Sequence, residues 1–229
     1  MIDWHTHILP GIDDGSQSVK ESAAMLDMLA MQGVSIVIAT PHYDANHETP
    51  KAFIARRDAA YDALMQALPS TKMRICRGAE VQYYPGIERL EGLEDLCIEK
   101  SGVLLLEMPF CAWTEMMISE IIRISASRHI TVMLAHIERY LHHAPRGVWE
   151  RLRSEGILLQ VNASFFISRT SRYRAFQMLR RGLVQAIGSD CHNTSARPPR
   201  MGAAREIISR KYGNEILKQL SEYGKAMLG

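Results

Sequence analysis

The sequence predicts an α/β barrel in which parallel strands alternate with helices and the strand ends open on one cup. Short runs rich in Val, Ile and Leu recur with helical patterns between them, as in repeated βα units. Several runs lack polar alternation, as strands buried on both faces do. An open doubly wound sheet satisfies both observations equally well. A third favours closure: His, Asp and Glu stand at the ends of nearly every run, and a closed sheet brings all strand ends around one cup, whereas an open one gathers its site at a switch point.

Seven runs read as strands, at residues 2–7, 34–40, 73–80, 103–107, 131–136, 157–162 and 185–189. Between the first two, Ser18 with Glu21 makes a capping box, and Val19, Ser22, Leu26, Leu29 and Ala30 recur at helical spacing until Gly33. The second helix starts at Thr49-Pro50, a cap followed by proline at the first helical position. It continues through Ile54, Tyr61, Leu64 and Leu68 and stops at Pro69. Later helices are expected at 114–127, 145–155, 171–181 and 200–212, with a terminal one at 214–225.

With 229 residues, 47% of them hydrophobic, the chain can fill one such core, and residues 1–229 read as a single domain. Its 27 basic and 25 acidic side chains leave a net charge of +2 without a run of like charges, which argues against nucleic acid as the main partner. The start Met1-Ile2-Asp3 lacks the basic and apolar regions of a signal peptide, and no apolar stretch approaches membrane-spanning length. A cytoplasmic location without membrane insertion is expected. Cys76, Cys97, Cys111 and Cys191 form no CxxC pair, which suits reduced thiols and excludes a zinc ribbon.

The strand ends carry the chemistry. His5 and His7 end the first run, His42 follows the second, and Glu80, Glu107 and His136 end the third, fourth and fifth. Asp190 and His192 follow the seventh. Residues two apart in a strand share a face, so His5 and His7 can grip one ion. Glu107 ends the apolar run Leu104-Leu105-Leu106, where an unpaired carboxylate would be costly to desolvate unless a cation or hydrogen bonds compensate it. A lone strand-end histidine is more often a hydrogen-bonded loop residue; the joint pattern favours a metal site. Asp13 and Asp14, within Gly11-Ile12-Asp13-Asp14-Gly15, read either as turn residues or as part of that site.

Nitrogen and oxygen ligands without thiolate favour Mn, Zn or Fe, and bridging carboxylates let two or three ions sit close together. The expected nucleophile is then hydroxide on a metal rather than a side chain. Cys191 reads as a packing residue, since no Cys-x5-Arg phosphate loop surrounds it. Arg139 and Arg197 follow the fifth and seventh runs, and their planar forks suit phosphate oxygens. Arg197-Pro198-Pro199 stiffens the backbone close to Asp190 and His192. Trp4 reads as barrel packing in preference to a place on the rim.

These residues also resemble a known family. The opening His5-Thr6-His7-Ile8-Leu9-Pro10-Gly11-Ile12-Asp13-Asp14-Gly15 is the most specific part. Thr40-Pro41-His42, Gly78-Ala79-Glu80, Leu106-Glu107-Met108-Pro109, His136-x-Glu138-Arg139-Tyr140, Ser189-Asp190-Cys191-His192-Asn193 and Arg197-Pro198-Pro199 follow in order and approximate spacing. Together they resemble the polymerase and histidinol phosphatase (PHP) superfamily, and within it the bacterial protein tyrosine phosphatases associated with capsular and exopolysaccharide synthesis.

The resemblance implies a distorted (β/α)7 TIM-like barrel of the PHP type. It implies three ions, manganese before iron or zinc, and hydrolysis of phosphotyrosine on the tail of a cognate tyrosine autokinase. By the same resemblance His5, His7, Glu80 and Asp190 hold one ion, Glu80, Glu107 and His136 surround a second, and Asp14, His42 and His192 serve a third. Arg139 and Arg197 match arginines placed near the phosphate, and self-association is implied for some members; residues 51–68 and the terminal helix offer surface for it but no decisive apolar patch. Ile137 stands where the pattern often has Pro, and Cys191 where it commonly has a smaller residue; these departures bear on metal preference and local geometry.

A histidinol-phosphate or other small-molecule phosphomonoesterase is the alternative within the superfamily. A nuclease or phosphodiesterase is opposed by the missing basic stripe. A non-catalytic kinase-binding regulator would be expected to show eroded ligand positions, yet all are filled.

Overall fold

The predicted run 73–80 is broken and a further short strand follows the run 34–40, so the computed structural model, which describes residues 1–68 and 71–229, forms nine strand segments among the described residues. They are β1 (Ile2–Thr6), β2 (Ile36–Ala39), β3 (His42–Tyr43), β4 (Arg74–Arg77), β5 (Glu80–Gln82), β6 (Val103–Glu107), β7 (Thr131–Leu134), β8 (Leu158–Asn162) and β9 (Ala186–Gly188). The break between β2 and β3 falls at Thr40-Pro41, where proline has no N–H to give to a ladder. That between β4 and β5 falls beside it, at Gly78-Ala79. Hydrogen bonds carry the pairing across both breaks: Gly78 N donates to Ala39 O at 2.8 Å and Glu80 N to Pro41 O at 3.0 Å.

Every strand pairing is parallel, in the orders β1-β2-β4 and β3-β5-β6-β7-β8-β9. The sheet curls until β9 returns to β1. There Thr6 bridges Cys191, and Asp190 N donates to His5 O at 2.8 Å. The fold is thus mixed α/β around a curled parallel sheet.

The helices are α1 (Val19–Met31), α2 (Pro50–Ala67), α3 (Glu115–Ser127), α4 (Val148–Ser154), α5 (Ala163–Ile167), α6 (Arg172–Arg180), α7 (Met201–Tyr212) and α8 (Glu215–Leu228). Thr49 caps α2 by accepting from Ala52 N at 3.3 Å, a contact worth about 1 kcal/mol. The expected stop of this helix at Pro69 lies outside the described residues. Ser18 caps α1 through Glu21 N, but the Glu21 carboxylate accepts from Gln17 N instead of closing the box on Ser18. Helix α5 is a single turn, too short for its periodicity to be read. No helix among the described residues is long and apolar enough to cross a membrane.

Two apolar clusters divide the interior. The larger lies between the sheet and the helices. The smaller fills the inside of the curled sheet with Ile2, Trp4, Ile38, Leu105, Met133 and Leu158, among others, and buries Trp4 as expected. Helix α8 reaches this second cluster from the side where the strands begin: Leu228 is fully buried in it. Gly224 lies so close that a Cβ would stand 2.8 Å from Ile2 Cδ1. The strand starts therefore form a dry floor, which leaves the strand ends as the opening.

Strand β1 serves both floor and opening through one irregularity. Asp3 pairs with Val37 but Thr6 with Ala39, so three steps of β1 match two of β2. The extra residue is a β-bulge, which reverses the alternation of side chains beyond it. Trp4 and His5, neighbours in sequence, both face the inside: Trp4 packs in the inner cluster and His5 meets Gln160 and Gly188.

Candidate metal centre

All nine ligand-type residues read from the sequence converge at the strand ends. Four overlapping groups bring nitrogen and carboxylate oxygen atoms within 4.8 Å of one another: His7, Asp14, His42 and His192; His5, His7 and Asp190; His5, Glu80 and His136; His42, Glu80 and Glu107. The bulge aims His5 and His7, whose Nε2 atoms lie 3.1 Å apart. His42 and Glu80 open β3 and β5 as paired residues, and Glu107 ends β6. His136 and Asp190 follow β7 and β9 with positive φ of 30° and 54°. Non-glycine residues hold this region only where the surroundings over-determine it, at about 1–3 kcal/mol each.

Glu80 is the hub. Its Oε2 is 3.0 Å from His5 Nε2, 3.3 Å from His7 Nε2 and 3.1 Å from His42 Nδ1, while Oε1 is 2.7 Å from His136 Nε2. Asp190 Oδ1 lies 3.5 Å from His7 Nε2 and 3.6 Å from His192 Nδ1. Glu107 Oε1 is 3.4 Å from His136 Nε2. Asp14 Oδ1 is 3.4 Å from both His42 Nε2 and His192 Nε2. Asp14 and His42 are the open members, with side chains 66% and 41% exposed; His5, His7 and Glu80 are buried.

The donor chemistry fits divalent ions. Burial works against ionising Glu80, but His5 and hydrogen bonds from His136, His5 and His7 hold it well below the usual carboxylate range. Asp190 is likewise kept ionised against burial by His5 and His7. Burial opposes a charge on His7, yet Asp13 and Glu80 raise its pKa to about 10. The carboxylates therefore favour positive charge at this point, and a metal ion satisfies that demand together with several imidazoles. His192 Nε2, which faces Asp14, is buried without a hydrogen-bond partner among the described residues, as an atom left for another ligand would be. Neutral imidazole and carboxylate form the mixed donor set of borderline and hard divalent metals.

Residues behind the cluster set its geometry, and most of them leave little mark in the residue pattern. Asp13 Oδ2 lies 2.7 Å from His7 Nδ1 and accepts from His42 N at 3.0 Å, while Oδ1 accepts from Gly15 N at 2.9 Å. Asp13 is thus a turn residue and a contact that orients His7 at once. Strand β8 supplies none of the nine residues but braces them from the side. Gln160 Oε1 accepts from His136 N at 2.6 Å and lies 3.4 Å from His5 Nδ1. Gln160 Nε2 donates to Asn162 Oδ1 at 3.0 Å, and Asn162 Nδ2 to Asp190 Oδ2 at 2.9 Å. Gly188 makes room for this contact: a Cβ there would fall 2.5 Å from His5 Cβ and 2.8 Å from Gln160 Nε2. Polar residues two apart in a buried strand were the one available signal.

Both candidate arginines reach the centre. Arg139 pairs with Asp190 Oδ2, and Arg197 Nη2 lies 2.8 Å from Oδ1 of the same carboxylate. Asn193 Oδ1 accepts from Arg197 N at 2.9 Å, which tightens the loop carrying it. A cleft of about 270 Å³ opens here, lined by Arg139, Asn162, Ser164, Ser189, Arg197 and Arg200. Cys191 is fully buried, and burial pushes its thiol far up, which suits packing and not attack.

Comparison with known proteins places these features in context. The family model described as capsular polysaccharide synthesis, CpsB/CapC, matches residues 1–227. Tyrosine-protein phosphatase CpsB of Streptococcus pneumoniae is 33% identical over 236 residues, covering 96% of this chain and 94% of its own. Tyrosine-protein phosphatase YwqE of Bacillus subtilis is 25% identical over 241 residues, covering 100% and 91%. Among solved structures, work on YwqE from Bacillus subtilis and CpsB from Streptococcus pneumoniae, described as unique metal-dependent tyrosine phosphatases, gives a fold match with TM-score 0.85. That match has 22% identity and covers 100% of this chain and 94% of the other.

Proposed function

The chain belongs to the capsular polysaccharide synthesis CpsB/CapC family, and we propose that it is a metal-dependent protein tyrosine phosphatase. One observation carries the reading: a cluster of imidazoles and carboxylates shares its Asp190 with the guanidinium groups of Arg139 and Arg197. The substrate side of the reading comes from its relatives, which are tyrosine-protein phosphatases by name.

The fold we propose in full is the distorted (β/α)7 barrel, with β2 and β3 as one broken strand and β4 and β5 as another. The bonds across Thr40-Pro41 and Gly78-Ala79 and the Thr6–Cys191 bridge support it. The nine residues His5, His7, Asp14, His42, Glu80, Glu107, His136, Asp190 and His192 would hold up to three ions, manganese before iron or zinc. Four overlapping donor groups around a central Glu80 support a multinuclear arrangement. Such ions supply Lewis acidity toward phosphoryl oxygens and an activated water.

The chain's own residues then position and stabilise. The arginine forks, 33% and 42% exposed and anchored on Asp190, can turn their remaining N–H groups toward a phosphate in the cleft and offset charge that grows in the transition state. A phenol, with a pKa of about 10, leaves with less protonation than an alkyl alcohol, so strong general-acid catalysis is not needed. The open side of the cluster at Asp14 and His42 admits a side chain carried on a protein. The capsule context of the family supports the tail of a tyrosine autokinase as that protein, in the cytoplasm.

Steady-state assays on a phosphotyrosine peptide and on histidinol phosphate, with added manganese and with metal content measured before and after chelation, test the reading. Efficient phosphotyrosine turnover that is lost on chelation and restored by metal is expected. Efficient histidinol-phosphate turnover with negligible phosphotyrosine turnover would overturn it.

A further inference from the structure

We propose that Phe110 forms the wall of a subsite for the aromatic ring of the substrate, an inference that rests on the phosphatase reading above. Phe110 lies in the loop that leaves β6, three residues after Glu107, and is 61% exposed. An exposed phenyl ring forgoes the burial that its size would otherwise bring. Yet this one is held in place: its centroid is 5.3 Å from the ring of Tyr140 and 6.2 Å from that of His143, the latter edge-on.

The base of the wall is buried and reaches the cluster. Tyr140 is fully buried, 5.7 Å from the His136 ring on one side and 5.4 Å from the Trp113 ring on another. Trp113 N donates to His143 O at 3.0 Å, tying the loop to the segment after β7. The 3-10 turn Ile137–Tyr140 thus sends neighbouring residues to two tasks: Arg139 goes to Asp190, and Tyr140 goes under Phe110. Through Tyr140, Phe110 stands two ring contacts from His136, close enough for the ring of a substrate whose phosphoryl group sits at the cluster to meet its face.

Aromatic faces pair in offset or edge-to-face geometry, which an alkyl phosphoester lacks the ring to exploit. Phe110 is therefore a specificity residue, selecting aryl over alkyl phosphates without touching the reacting atoms.

The test uses phenylphosphonate and methylphosphonate as non-hydrolysable inhibitors of the metal-loaded enzyme, in the wild type and in Phe110→Ala, Phe110→Leu and Phe110→Trp. In Phe110→Ala the inhibition constant for phenylphosphonate should rise about three- to tenfold while that for methylphosphonate stays unchanged. KM for a phosphotyrosine peptide should rise with it, at constant kcat. Phe110→Trp should restore the aryl preference and Phe110→Leu should not. Equal changes for both inhibitors, no change for either, or full rescue by leucine would overturn the inference. So would a rise in KM confined to protein substrates. Wild type without phosphotyrosine turnover would instead overturn the phosphatase reading, independently of the variants.

Discussion

The Nε2 atoms of His5 and His7 face each other at 3.1 Å at the end of β1, with Glu80 Oε2 within 3.3 Å of both. Two buried imidazoles at this separation need a shared cation or a proton supported by the carboxylates. His5→Ala and Asp190→Ala should therefore lose bound metal and, with it, phosphotyrosine turnover. Elemental analysis alongside activity checks this; full activity in metal-free protein would contradict it.

The Arg197 guanidinium pairs with Asp190 Oδ1 and is nearly half exposed. Arg197→Ala should keep the metal content of the wild type while kcat falls roughly a hundredfold, in the range seen when a transition-state donor is removed. A rise in KM with unchanged kcat would show that the guanidinium serves binding alone.

Gln160 and Asn162 hold His136 and Asp190 from behind. Gln160→Leu and Asn162→Ala should weaken metal affinity about 10- to 100-fold, as loss of an outer hydrogen-bonding partner does. Competition against a chelator of known affinity measures this, and Gln160→Glu, which keeps the acceptor facing His136 N, should fall between wild type and leucine.

Trp4 fills the floor against Gly224 of α8. Trp4→Ala should cost about 3–5 kcal/mol of stability, visible as a lower denaturant midpoint. Metal loading should recover part of that loss because the ions bind the folded state only.

The thiols should react in order of access. Cys111 is exposed, whereas Cys76 and Cys191 are buried and burial pushes Cys97 up to about 12. Brief alkylation of the native protein followed by mass spectrometry should label Cys111 first, and the others only after denaturation.

Much of the centre was legible because buried strands leave polar residues few reasons to be where they are. His5, Glu80, His136 and Asp190 stood out against apolar neighbours, and the structure brings them together. The supports were harder to read. Gln160 and Asn162 carry no charge, and their role depends on β9 lying alongside β8, a relation across the sheet that no local pattern encodes. Asp13 was ambiguous because one side chain closes a turn and orients an imidazole. The strand breaks were marked by Pro41 and Gly78, but the bonds bridging them come from neighbouring strands.

The extra residue between Asp3 and Thr6 acts as a phase shift within β1. Before it, the strand's inward side chains build an apolar floor; beyond it, they are the imidazoles of His5 and His7. Deleting one residue here would leave composition almost unchanged and turn both histidines toward the helices, because side chains in a strand alternate strictly. The length of this short segment is thus constrained more tightly than its identity: conservative substitutions in it should be survivable, while any frame change should erase the centre at a stroke.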